Sequence, residues 1–201
     1  MKQTCLRSVT MGMFVILILS ARLWGDDYAF RKVNWGMGKD QVKSSENGKP
    51  LHEDADSMTY QVGFLGSDAD LIYLFSQGKL VRAKYVFTTV HPNKDDYIKD
   101  YKSHRGALAK QYGDPKQDNV YWRNDKYQPH PSKWGFAVSI GELVYLSTWE
   151  TPDTMITNIL FGKDFIITDG IQFAGKAYQD ADTSAVSTGV YMDFNSVIPG
   201  P

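Results

Sequence analysis

Between Asn93 and Gly113 the chain is written as one long helix, and no other stretch carries a comparable helical signal. Asn93 has a short side chain that can accept from free backbone N–H groups one turn on, which suits a helix start. Asp95 and Asp96 place negative charge on the positive end of the helix dipole. Tyr97, Tyr101, His104, Leu108 and Tyr112 recur at spacings of four, three, four and four, so they share one face. Gly113 can take the left-handed conformation that ends a helix, and Pro115 blocks its return. Before this helix the chain reads as one short helix plus strands; after it, as strands.

The short helix is expected at about 39–47, after Gly38 and before Gly48 and Pro50. Met58, Tyr60, Val62 and Phe64 then alternate with smaller or polar residues, the period of a half-buried strand. Gln77-Gly78 reads as a two-residue hairpin loop. Its simplest register puts Ile72, Leu74, Val81, Ala83, Tyr85 and Phe87 on the core face and leaves Arg82 and Lys84 on the other. Gly141-Glu142 reads as a second hairpin loop, between strands at 134–140 and 143–149. Gly162-Lys163 reads as a third, between 154–161 and 164–173. The expected fold is α+β, with two α-then-antiparallel-meander units in tandem at 26–92 and 93–175. The helices pack on one face of the sheet or sheets, and a loosely ordered tail occupies 176–201.

The first 25 residues read as a signal peptide. Lys2 and Arg7 precede an apolar run from Val9 to Leu19, which is too short to span a bilayer, and small residues follow up to Gly25. Cleavage after Gly25 would begin the mature chain at Asp26, and cleavage after Ala21 is the alternative. Cys5 lies before the apolar run, not after it as a lipid anchor requires, so the mature chain has no cysteine and no disulfide. Export without cysteine points to a periplasmic or secreted bacterial protein. Setting Lys2, Arg7 and Arg22 aside leaves 19 basic residues of 22 against 23 acidic ones, a net charge of −4. That balance, with no basic cluster, argues against nucleic acid as a partner.

Three stretches carry a resemblance: Trp35–Val42 (WGMGKDQV), Leu71–Leu80 (LIYLFSQGKL) and Leu108–Pro115 (LAKQYGDP). Together they resemble exported bacterial proteins of the SmpA/OmlA (BamE-like) and β-lactamase-inhibitor-protein-like kind. The resemblance covers about residues 33–170. Gly38 stands where that pattern has Ser or Thr, and the lipid-anchoring cysteine is missing. The resemblance implies a role in binding other proteins rather than catalysis.

The residues themselves offer little chemistry. None of His52, His91, His104 and His130 forms a close metal-ligand pair. His104 lies on the apolar face of the long helix, where packing explains it. The acidic loop His52–Asp56 lacks the glycine and closing glutamate of a calcium loop. No nucleophile elbow, P-loop or dinucleotide-binding glycine pattern occurs. No cofactor and no metal are therefore expected. The constellation singled out is aromatic: Trp122, Trp134, Phe136, Tyr145 and Trp149. If Ala137, Val144 and Leu146 receive the long helix, these aromatics face outward as a protein-binding surface; otherwise they are core. The functional expectation is a non-catalytic periplasmic protein-binding module of the cell envelope, with another envelope protein as partner and no integral membrane span in the mature chain. An inhibitor of an envelope enzyme such as a β-lactamase is the alternative, and an envelope hydrolase comes third.

Overall fold

The computed structural model describes residues 28–180. The leader assigned to 1–25 and the tail beyond 180 lie outside those residues. Eight antiparallel strands form one sheet: β1 (His52–Glu53), β2 (Ser57–Phe64), β3 (Ser67–Ser76), β4 (Lys79–Phe87), β5 (Gln117–Trp122), β6 (Leu143–Glu150), β7 (Thr154–Lys163) and β8 (Ile166–Gly175). Their order is β1-β2-β3-β4-β8-β7-β6-β5. Among the described residues there are three α-helices: α1 (Lys39–Ser45), α2 (Asp95–Tyr112) and α3 (Trp134–Ser139). No helix among the described residues is long and apolar enough to cross a membrane.

This overturns the expectation of two tandem α-then-meander units. β4 pairs with β8 from Arg82↔Ala174 to Val86↔Gly170, so the sheet is continuous across the supposed boundary. The largest core cluster also crosses it, joining Val42, Met58, Tyr73 and Tyr85 to Leu108, Trp149, Ile156 and Phe173. Local sequence patterns specify each hairpin but not the β4–β8 seam, which closes only when the last strand arrives.

α2 ends at Gly113 as written but starts one residue later than Asn93 suggests, with Lys94 as its N-cap and no side-chain cap bond from it. Asn93 Oδ1 accepts from the Asp95 N–H at 3.1 Å, and Gly113, at φ +82°, donates to the Ala109 carbonyl. Ile98, Tyr101, His104 and Leu108 are its buried face. That face covers strand residues Ser147, Asn158 and Asp169, and Trp149 packs beneath its C-terminal end. Ala137 instead lies on α3, while Val144 and Leu146 project from the opposite side of the sheet.

Three local readings change for identifiable reasons. In the β3–β4 hairpin, Gln77 and Gly78 both have positive φ, as a tight turn requires. The register then shifts between Leu74 and Phe75, because Val81 is an extra residue in β4. The helix-side face consequently carries Leu71, Tyr73, Phe75, Leu80, Ala83 and Tyr85. The segment 134–140 is helical, so Gly141-Glu142 joins a helix to a strand, and β6 pairs with β5 instead. Within this helix Gly135, Ala137, Val138 and Ser139 are buried, while Phe136 is exposed. In the β7–β8 hairpin the turn residues are Asp164 and Phe165, because Lys163 pairs with Ile166. Gly162 is needed inside β7, where a Cβ would sit 2.3 Å from the Val138 carbonyl oxygen of α3.

Candidate functional site

The five aromatic residues singled out by sequence divide into two groups. Trp149 and Tyr145 point into the core beneath α2. The Trp149 indole N–H donates to the Gly113 carbonyl at 2.8 Å, and its side chain packs in the main cluster. Tyr145 packs against Tyr101 with ring centroids 5.3 Å apart. Burial holds its hydroxyl unionised, pushing the pKa up to about 12.

Trp122, Trp134 and Phe136 fall into two ring contacts on β5, α3 and the loop before it. Trp122 closes β5 and meets Trp134 edge-to-face at 5.8 Å, while Tyr127 meets Phe136 at 5.6 Å. Phe136 in turn approaches Phe165 at 6.2 Å. Phe165 is 63% exposed, Ile166 beside it 72% and Phe136 39%, so the edge presents large apolar area to solvent. Phe165 also holds φ +69°, a left-handed conformation that bulky residues avoid. The strain is sustained by specific bonds: its N–H donates to the Ser139 carbonyl at 3.0 Å, and Lys94 Nζ reaches its carbonyl at 3.4 Å. Lys126 Nζ sits over the Tyr127 ring at 5.2 Å, and Lys133 and Lys163 are exposed nearby in sequence.

Sequence reasoning missed Tyr127, Phe165 and Ile166. The signals were present in Pro131 and Asp164. Pro131 opens the short 3₁₀ turn that feeds α3, and proline favours the first turn of a helix. Asp164 tolerates positive φ better than most residues, which marks a tight turn two residues later than the one expected.

A second polar arrangement lies buried under α2. Tyr101 OH donates to Ser147 Oγ at 2.6 Å, and Ser147 donates to Asp118 Oδ1 at 2.7 Å. Arg105 clamps Asp118 Oδ2 at 2.6 and 3.0 Å, which holds that carboxyl below the usual carboxylate range. One turn away, His104 stacks on Phe87 and brings Nδ1 to 3.1 Å from Asp169 Oδ2, both side chains 3% exposed. Helical spacing placed His104 on the packed face, but nothing local indicated Asp169, which comes from the far end of the chain. The seam has hydroxyl, imidazole and carboxylates, yet its serine already bridges a tyrosine and an aspartate. It fixes the seat of α2 on the sheet. Among the described residues no group of three His, Cys, Asp or Glu side chains is placed to hold a metal ion.

Asp169 supplies a test of that seam. Burial raises its pKa, and His104 pulls the other way. Because the folded value lies above the unfolded one, Asp169 favours folding most at low pH, and that advantage is lost as pH rises through the folded value. Asp169→Asn is therefore expected to gain stability relative to wild type as pH rises above the ordinary carboxylate range, read from urea midpoints. A difference that stays constant with pH would show that the carboxyl does not titrate with folding.

No protein-family model, curated protein or solved structure matches the chain.

Proposed function

We propose that this protein is a non-catalytic protein-binding module of the bacterial cell envelope, and that it engages another envelope protein through the Trp122–Phe136–Phe165 edge. The observation that carries the reading is Phe165: a large aromatic held in a strained turn with most of its surface in water. Folding gains little from such a residue, whereas a partner gains a rigid anchor with few rotamers to freeze. Phe136 and Tyr127 extend the anchor through ring contacts, Ile166 adds exposed apolar area beside it, and Trp122 pairs with Trp134. The lysines nearby suit a partner whose apolar pocket has an acidic rim. The signal-peptide pattern of residues 1–25 supports a partner outside the cytoplasm.

The test is affinity capture from envelope extracts, wild type against Phe136→Asp/Phe165→Asp. Both side chains are exposed, so the variant should keep its melting temperature. Truncating anchors of this kind costs about 2 kcal/mol or more each, so a partner should bind at least about 30-fold more weakly. Equal recovery by the variant, or no specific partner for the wild type, would overturn the reading.

A further inference from the structure

The sheet has two edges, and they are not alike. β1 is two residues long, His52–Glu53, with Pro50 shortly before it, so it offers a neighbouring strand almost no backbone. β5 has six residues, Gln117–Trp122, without proline, each matched to one residue of β6 from Thr148 to Leu143. Among the described residues nothing pairs with its outer side. Gln117, Asp118, Asn119 and Val120 are exposed. Val120 is 50% exposed although it opposes Tyr145, on the face that carries the helices.

The ladder fixes which backbone groups of β5 are free. The Arg123 N–H donates to the Glu142 carbonyl at 2.9 Å, and opposed residues of an antiparallel pair alternate between bonded and unbonded. Gln117, Asn119 and Tyr121 therefore turn their N–H and C=O groups toward β6, while Asp118, Val120 and Trp122 turn theirs outward. The other side of β6 gives the same phase. The Thr151 N–H donates to the Thr154 carbonyl at 2.9 Å, which commits Tyr145, Ser147 and Trp149 to β7 and leaves Val144, Leu146 and Thr148 for β5.

We propose that β5 pairs with β5 of a second copy of this chain, about a two-fold axis at Val120. Two-fold symmetry makes the strands antiparallel, sets Val120 against its own copy and sets Asp118 against the copy of Trp122. Each outward residue then exchanges both of its backbone bonds. Charge favours this occupant. Asp118, the one ionised side chain in β5, is held by Arg105 at 2.6 Å, and the flanking Lys116 is held by Glu150. A strand with charges of its own would meet no free counter-charge here, whereas β5 brings none that is uncompensated. Val120, Tyr121 and Trp122 favour the extended chain, and the Val120 side chain, half in water in one copy, is covered in two. The short β1 stops growth at a closed dimer. A seam this short buries less than the roughly 1,200 Å² at which standard interfaces begin, so dissociation in the micromolar range is expected. The pairing uses the β5 backbone rather than the Phe136 and Phe165 anchors, so it is independent of the envelope partner.

The test is sedimentation equilibrium of the full chain, wild type against Val120→Pro. Proline suits an edge residue whose N–H faces solvent, so the variant keeps its ladder to β6. It loses the donor on both sides of the central pair, and the dimer is expected to weaken at least about 30-fold. Val120→Thr keeps the N–H and should stay within about 3-fold of wild type. A wild type that is monomeric up to about 1 mM overturns the proposal and leaves the edge to a strand of another protein. An association that Val120→Pro leaves unchanged also overturns it and puts the contact elsewhere. If Val120→Pro does not fold, Val120→Lys and Val120→Asp serve instead. Each sets like charges face to face and should be monomeric where wild type pairs, and an equimolar mixture should recover the dimer. A mixture that stays monomeric overturns the proposal. Phe136→Asp/Phe165→Asp should pair as wild type does; loss of pairing there would put the contact at the aromatic edge and overturn it.

Discussion

Trp149→Ala is expected to destabilise the protein by about 3–5 kcal/mol, the cost of removing a large aromatic from a close-packed core. Trp149 is 2% exposed and packs in the same cluster as Leu108 and Ile156. Its indole N–H also satisfies the Gly113 carbonyl, at the end of α2 where backbone acceptors have lost their helical partners. Alanine therefore leaves a cavity and an unsatisfied carbonyl together. For a chain of this length the loss should lower the melting temperature by roughly 10 °C or more. Trp149→Phe separates the terms, because it keeps most of the volume and removes the donor. About 1–3 kcal/mol is expected from the orphaned acceptor. Trp134→Ala, at the solvent-facing aromatic edge, should cost less than either and weaken partner capture instead. If Trp149→Ala melted with the wild type and lost the partner, the division between core and surface aromatics would be wrong.

That division could not be read along the chain, and the reason is specific. Period-two alternation puts Tyr145 and Trp149 on one face of β6, and the face is right. Whether a helix or solvent meets that face depends on where α2 lands, and the Tyr101–Ser147 and Asn158–Tyr101 contacts that seat it lie 46 and 57 residues apart in sequence. α2 itself was legible because its caps, face and terminator are all local. The β3–β4 turn was legible for the same reason, yet the Val81 bulge moved every pairing beyond it by one residue. Arg82 and Lys84 still fell on the face away from the helices, as the sequence pattern indicated. At the aromatic edge Trp122, Trp134 and Phe136 were visible as large side chains. Phe165 was not, because its exposure follows from a turn position two residues from the one that glycine suggested.

Gly135→Ala is expected to damage stability and binding together, because this glycine joins the fold to the aromatic edge. A Cβ there would lie 2.4 Å from the Lys94 carbonyl carbon, 2.5 Å from the Asp95 nitrogen and 2.6 Å from the Lys94 oxygen. All three are backbone atoms of the α2 entry, so no side chain can turn aside to admit it. The alternative is for α3 to lift, which breaks the 2.8 Å bond from the Gly135 N–H to Asp95 Oδ1. Overpacking costs about 1–3 kcal/mol and a charge-assisted bond about 1.5–3 kcal/mol, so a loss of about 3 kcal/mol or more follows. Lifting α3 also moves Trp134 and Phe136, which flank Gly135, so partner capture should fall even at temperatures where the variant is folded. Gly106→Ala is the matched control. It lies inside α2 with nothing within 4 Å of an added Cβ, and it should stabilise by about 0.5–1 kcal/mol through helix propensity. The same methyl group is thus expected to act with opposite sign at two sites, read from urea and thermal unfolding. Equal stability of the two variants would mean that α3 does not rest on the α2 backbone, and the aromatic edge would lose its rigid support.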